Sequence, residues 1–439
     1  MRFILALILA IVSIEVSAFA EAVSGAQLAP DGNKQSSPDM DKDVTTLKAL
    51  VEEAKQNNPE IKAAKARWEA STKRPFQEGS LPDPMIGVTW RNVRFDRITL
   101  TEDPDSMLIF SFSQEFPFPG KLSLKEKIAS EEAHAEEKTY KATMRKVVAD
   151  LKEAYYDWYL ANKSIDIISK NKELTDKFVK IAETKYEVGM GIQQDVLKAQ
   201  VELSKFIEQL EILDARKGVA EARIRSILNR PPDSHLGDPE VLEASPFTLD
   251  TEKLYNLAEE NAPLLQMKGK LVEREEQALN LAKREYYPDF ALDVGPGIMG
   301  MTDDGVQGVW EITLGVKVPL YFWRKQRFGV EEAVSQLHAA KEDYTSTKQN
   351  LLFEVKDKYL TAKTSENLLK LYKEGIIPQS NLSLESAISA YQVGNVDFLT
   401  LLDNLVTLFN FELEYHRQLA EYQKALARLE EITGVELTK

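Results

Sequence analysis

Apolar residues recur every three or four positions at Leu47, Leu50, Val51, Ala54, Ile61, Ala64 and Trp68, and again at Leu254, Leu257, Ala258, Leu265 and Leu271. That spacing predicts a short amphipathic helix in each place. After each one the period changes to two. Ile86, Val88 and Trp90 interleave with Gly87, Thr89 and Arg91, and Leu108, Phe110 and Phe112 with Ile109, Ser111 and Ser113. Further on, Phe290, Leu292 and Val294 alternate with Ala291, Asp293 and Gly295. The clearest run sets Trp310, Ile312, Leu314, Val316 and Val318 against Glu311, Thr313, Gly315 and Lys317. Four strands follow, each with an apolar face and a polar one.

The helical period then returns in much longer stretches. From about Lys121 to Val188 there is no proline or glycine, and Val147, Leu151, Ala154, Trp158, Ala161, Ile165 and Ile168 keep a 4-3 spacing, a coiled-coil seam. Gly189-Met190-Gly191 breaks it, and a partner helix is predicted from about Gln193 to Leu228. A second long helix is expected from about Arg324 to Val393, interrupted and bent at Pro378. Beyond Gly394 its partner carries Leu402, Val406, Phe409 and Leu413, then Leu419, Tyr422, Leu426 and Leu429.

The chain repeats itself. Asn57-Asn58-Pro59 and Asn261-Ala262-Pro263 differ by 204 on subtraction, and Pro82-Asp83 and Pro288-Asp289 by 206. Pro117 and Pro319 differ by 202, Leu151 to Tyr155 and Val355 to Tyr359 by 204, and Tyr186-Glu187-Val188-Gly189 and Tyr391-Gln392-Val393-Gly394 by 205. So nearly constant an offset is a duplication, with a period far above the ~20–50 residues of solenoid units. Residues 43–230 form the first copy, 231–249 a linker and 250–435 the second.

Composition narrows the partners. The net charge of −15 argues against nucleic acid, and the absence of cysteine removes disulfides, thiolate metal sites and thiol nucleophiles. Residues 1–20 read as a secretory signal, with Arg2, an apolar core from Phe3 to Val12, and Ala18-Phe19-Ala20 as the cleavage site. Residues 21–42 read as a flexible leader.

An ordinary half-buried sheet gives the same alternation as a membrane strand. Export, and flanking helices too long to cap a compact sandwich, favour the membrane. Four strands cannot close a barrel, and open edges are not tolerated in lipid. Three copies of four strands make twelve, wide enough for water, whereas two copies make eight, which side chains nearly fill. The expected fold is therefore mainly α with a small β part. It comprises a long α-helical coiled-coil barrel in the periplasm and four strands per protomer in a trimeric 12-stranded β-barrel.

The duplicated helix-and-strand plan and the paired tips Tyr186-Glu187-Val188-Gly189-Met190 and Tyr391-Gln392-Val393-Gly394-Asn395 resemble the TolC family of outer-membrane efflux factors. Phe116-Pro117-Phe118-Pro119-Gly120-Lys121 looks like the barrel-to-helix junction of members serving heavy-metal pumps. The resemblance implies a homotrimer and a passive outer-membrane exit duct, with heavy-metal cations favoured as cargo and drugs or other small molecules as the alternatives. Its partners would be a periplasmic adaptor, an inner-membrane pump, by preference of the RND type, and outer-membrane lipid. Adaptor docking would centre on Val188, Gly189, Met190, Val393, Gly394 and Asn395. The family narrows its tunnel at the second tip with an Arg and two Asp. Here Val396 and Thr400 take the Arg and first Asp positions, only Asp403 matches, and Asp397 lies nearby in another register.

No catalytic constellation, nucleophile elbow or phosphate loop is present, so neither an enzyme nor a cofactor is expected. His134 and His338 are one repeat apart and could form a ring in a trimer, but no histidine pair has metal-ligand spacing, and no metal site is assigned. Met299 and Met301 are placed on the loop between the third and fourth strands. The alternative function is a structural coiled-coil protein of the envelope. It would not need the Trp-Ile-Leu-Val-Val face of the last strand.

Overall fold

The computed structural model describes residues 44–92, 105–189, 191–244, 250–302, 305–392 and 395–437. The signal and leader lie outside the described residues. The described residues are mostly helical, with one four-stranded sheet and one two-residue pairing among them.

Each copy opens on a helix broken by proline, where the periodicity alone suggests a continuous one. In the first copy α1 (Leu47–Asn57) and α2 (Pro59–Ser71) are followed by a short α3 (Arg74–Glu78). Asn58 before the proline is held at φ −61°, ψ 126°, because the proline ring disfavours the helical region for its predecessor. Its side chain accepts from the amides of Glu60 and Ile61 and so caps α2.

Strands β2 (Met85–Arg91) and β3 (Met107–Phe116) lead into α4 (Lys121–Glu187) and α5 (Gln193–Leu228). The 67 residues of α4 amount to about 100 Å. The second copy repeats the order with α6 (Thr251–Asn261), α7 (Pro263–Arg284), β5 (Asp289–Thr302), β6 (Gly305–Lys317), α8 (Lys325–Leu371), α9 (Ile377–Gln392) and α10 (Phe398–Thr433). Met299 and Met301 belong to β5, not to a loop, because the pairing with β6 runs on through a bulge between them.

Pro378 does not end its helix. A π turn, Tyr372–Ile376, joins α8 to α9 just ahead of it. The wider turn makes room where the ring would meet a carbonyl four residues back and where the missing N–H breaks the ladder.

The core sits where the four long helices and the short ones meet. Val147, Leu151, Ala154, Trp158, Ala161 and Ile168 of the predicted seam are buried, and Ile165 is half-buried. Leu151, Ala154 and Trp158 pack with Ala220, Ile224, Ala420 and Ala427, Ile168 packs with Phe206 and Phe409, and Tyr159 joins Val355, Tyr422 and Leu426 in a neighbouring cluster. Arg428 ties α10 to α4 through Asp150 and Glu153. Around this belt β1 (Val44–Thr45) pairs in parallel with β4 (Asp238–Pro239) inside the linker, an association with no local signature. The buried Tyr155 hydroxyl donates to the Thr45 carbonyl and accepts from the Glu240 amide, pinning both strands.

Candidate functional site: the paired tips and the one-sided sheet

The sheet runs β2-β3-β5-β6, all antiparallel, so the two copies join through β3 and β5. Register puts Val88 opposite Phe110, Phe112 opposite Val294, and Val294 opposite Ile312, which gathers the apolar positions on one face. Most of that face is bare, with Ile86 80 % exposed, Trp310 72 % and Leu314 78 %, and only Leu108 buried among the positions named above. A soluble sheet would bury such a surface, and one this large and contiguous marks contact with something outside the chain.

The opposite face carries Thr89, Arg91, Ser113, Asp293, Glu311 and Lys317. Arg91 Nη2 donates to Glu311 Oε1 at 2.7 Å although the two belong to opposite edge strands. With strands ~4.8 Å apart, that reach requires the sheet to curl toward its polar side. The polar face is the concave one. The outer edges of β2 and β6 have no strand partner among the described residues.

At the helix-side end of the sheet, β3 stops at Phe116 and α4 starts at Lys121. Gly120 takes φ +95°, a conformation that a side chain resists, and this lets the chain turn directly into the helix. Phe118 stacks on Tyr287 and donates its amide to Asp289. The Lys121 ammonium is 4 % exposed and donates to Asp289 at 2.8 Å, to the Tyr287 carbonyl at 3.1 Å and to Glu285 at 3.3 Å. The junction of one copy is thus locked onto the strand of the other.

At the far end of the helices lie the tips. α4 finishes with the Val188 amide on the Thr184 carbonyl and the Gly189 amide on that of Tyr186. Gly189 has φ +73° with nothing within 4 Å of where a Cβ would stand, so the requirement for glycine is conformational and not steric. Val188 is 62 % exposed. At the second tip the Asn395 amide donates to the Ala390 carbonyl, and Asp397 caps α10 by accepting from the Thr400 amide. Met190, Val393 and Gly394 lie outside the described residues.

The fold brings the two tips together. Lys185 sits 3.7 Å from the centroid of the Tyr391 ring, and Tyr391 packs on Phe398. Behind them Phe178, Val196, Leu384, Leu401 and Leu405 form a common cluster. Asp195, in the first turn of α5, has its pKa raised, first by burial and then by the charge of Asp397. Asp397 is itself held below the usual range by its hydrogen bonds to Thr400. Sequence reasoning missed Asp195, whose place as an acid in the first turn of a helix was the available signal.

Asp397 and Asp403 do not act alike. Asp397 is engaged as the cap, whereas Asp403 is exposed on the side of α10 away from Leu401, Leu402 and Leu405. His134 and His338 are exposed on separate helices beside Glu131 and Glu342, and no cluster of three metal-ligating side chains occurs among the described residues.

A curled sheet that is apolar outside, polar inside and open at both edges, joined to helical hairpins with paired tips, defines one wedge of a membrane-embedded barrel and its helical extension. The model of the family described as outer membrane efflux protein matches residues 50–230 and 254–435. The chain belongs to that family. It is 20 % identical to the cobalt-zinc-cadmium resistance protein CzcC of Cupriavidus metallidurans over 89 % of this chain and 90 % of that protein. Among solved structures it resembles the outer-membrane channel OprN, with a TM-score of 0.77 at 18 % identity over 89 % of this chain and 90 % of that one. It likewise resembles CusC, described in relation to folding and transmembrane channel formation, with a TM-score of 0.75 at 15 % identity over 89 % and 92 %.

Proposed function

We propose that three copies of the chain close a twelve-stranded outer-membrane barrel, continued by a helical tunnel, as the exit duct of a tripartite efflux system for heavy-metal cations. The observation that carries the duct is the bare apolar face opposite the concave polar one on an open-edged sheet. Lipid satisfies the first, a water-filled bore the second, and neighbouring copies the edges. The duplicated halves, 43–230 and 250–435 about the linker 231–249, each supply one strand pair and one hairpin. The signal at residues 1–20 and the leader at 21–42 would deliver the chain to the envelope.

The tips at Val188, Gly189, Met190, Val393, Gly394 and Asn395 form the docking surface for a periplasmic adaptor, which links the duct to an RND-type pump. The exposure of Val188, Gly189 and Asn395 and the Lys185–Tyr391 contact between the two hairpins support this. Asp403 is the aperture residue, because its carboxylate is free of capping. The metal cargo rests on the junction motif and on the likeness to CzcC.

A photoreactive residue at Val188 should cross-link the adaptor in living cells. Deleting the chain should raise sensitivity to cobalt, zinc or cadmium and leave drug tolerance intact. Sensitivity only to drugs would remove the metal assignment, and release of the protein from membranes by salt alone would remove the duct.

A further inference from the structure

The Arg91–Glu311 pair belongs to the wall of the barrel, not to its tips. Counting across the register from Arg91 through Met107 and Met299 arrives at Gln307, so Glu311 lies four residues further along β6. The two side chains therefore cross the concave face diagonally, leaning away from the strands that lie between them. Arg91 is half exposed and Glu311 about one-third. An ion pair so open to water adds little to folding.

We infer that this pair is a luminal tie: it narrows the bore within the membrane and balances opposite charges there, as a constriction separate from the one at the tips. The inference rests on the duct reading. On the same polar face, Asp293 has no side-chain partner among the described residues, while Lys317 stands 3.6 Å from Glu115 at the far, helix-side end of the sheet. Rings of fixed charge in a pore select ions by sign. At 0.1 M salt screening extends over only ~10 Å, so a charge standing off the wall is felt by a passing ion as a charge at the distant tips is not. With both members present the pair itself is neutral, and Asp293, opposite Thr313, is the unbalanced charge beside it. Removing either one should expose the other.

The chain has no cysteine, so a single introduced thiol reports the local potential without background. Thr313, exposed on the polar face two residues from Glu311, is the reporter, and Leu314 on the apolar face is its control. The full-length protein is reconstituted in phosphatidylcholine vesicles and reacted with cationic and anionic methanethiosulfonates in 0.1 M KCl. In the duct, Thr313→Cys reacts with both reagents and Leu314→Cys is protected by lipid. On the Thr313→Cys background, Glu311→Gln should raise the anionic-to-cationic rate ratio and Arg91→Gln lower it, each by roughly threefold or more. The Arg91→Glu, Glu311→Arg exchange should return the ratio to its starting value, and 1 M KCl, where the screening length falls to ~3 Å, should compress all the differences.

Unchanged ratios in both single variants, or no recovery in the exchange, would overturn the tie and leave the duct standing. Protection of Thr313→Cys with labelling of Leu314→Cys would overturn the duct, and the tie with it. Loss of the folded trimer in either glutamine variant would also overturn the tie, since the pair would then be an element of folding.

Discussion

Replacing Lys121 by methionine removes a charge and keeps most of the side chain's bulk, so the cost should be electrostatic and not a cavity. Lys121 is 4 % exposed and meets three acceptors, of which Asp289 at 2.8 Å is 17 % exposed and Glu285 at 3.3 Å is 47 % exposed. Without the ammonium, Asp289 keeps only the Phe118 amide as donor among the described residues. Breaking a fully buried pair costs ~3–5 kcal/mol, and surface pairs are worth ~0–1 kcal/mol. Glu285, near half exposed, recovers its hydration and adds little, whereas Asp289 does not. The expected loss is about 3 kcal/mol, at the low end of the buried range.

Guanidinium unfolding of the protein in detergent micelles, followed by tryptophan fluorescence, measures it. The Lys121→Met, Asp289→Asn double variant should lose less than the sum of the two single losses, by roughly 1–2 kcal/mol, because the carboxylate stranded by the first change is neutralised by the second. A Lys121→Met midpoint within ~0.5 kcal/mol of wild type would refute the reasoning, as that is how a surface substitution behaves. So would simple additivity, which would mean that the pair has no coupling to lose.

At the first tip, Gly189→Ala should cost only the ~1–2 kcal/mol of a left-handed alanine and retain export. Gly189→Pro cannot adopt φ +73° and loses the amide bonded to Tyr186, so it should abolish export while membrane insertion and the trimer persist; normal metal efflux would show that the turn is not the docking surface. In the sheet, a Cβ at Gly295 would stand 1.9 Å from the Phe110 carbonyl oxygen, so Gly295→Ala should lower the temperature at which folded protein is lost on gels, at the upper end of ~1–3 kcal/mol. His416, its pKa lowered first by burial and then by Lys163, should favour the folded state above about pH 6.5, with that stability lost as the pH falls and the unfolded chain takes up the proton first. His416→Gln should flatten the unfolding midpoint between pH 7 and 5, and an unchanged slope would exclude this histidine as the cause.

What the sequence determined by itself was whatever has a period or a local breaker. Alternation marked the four strands, the 4-3 seam marked α4 down to Trp158 and Ile168, and the constant offset marked the duplication. The prolines at 59 and 263 were equally legible breakers, yet the apolar period running across them suggested unbroken helices, because a proline-preceding residue can redirect a chain without disturbing which face is apolar. The tertiary structure decided which elements meet. Nothing local says that β3 lies beside β5, that Val44 pairs with Asp238, that Lys185 covers Tyr391, or that Arg91 reaches Glu311. Those choices depend on burial and charge between residues far apart along the chain, and no periodicity within a single sequence encodes them. The same holds for the direction of the sheet's faces. Alternation separates apolar from polar, but only the curl toward the polar side shows which of the two is turned inward.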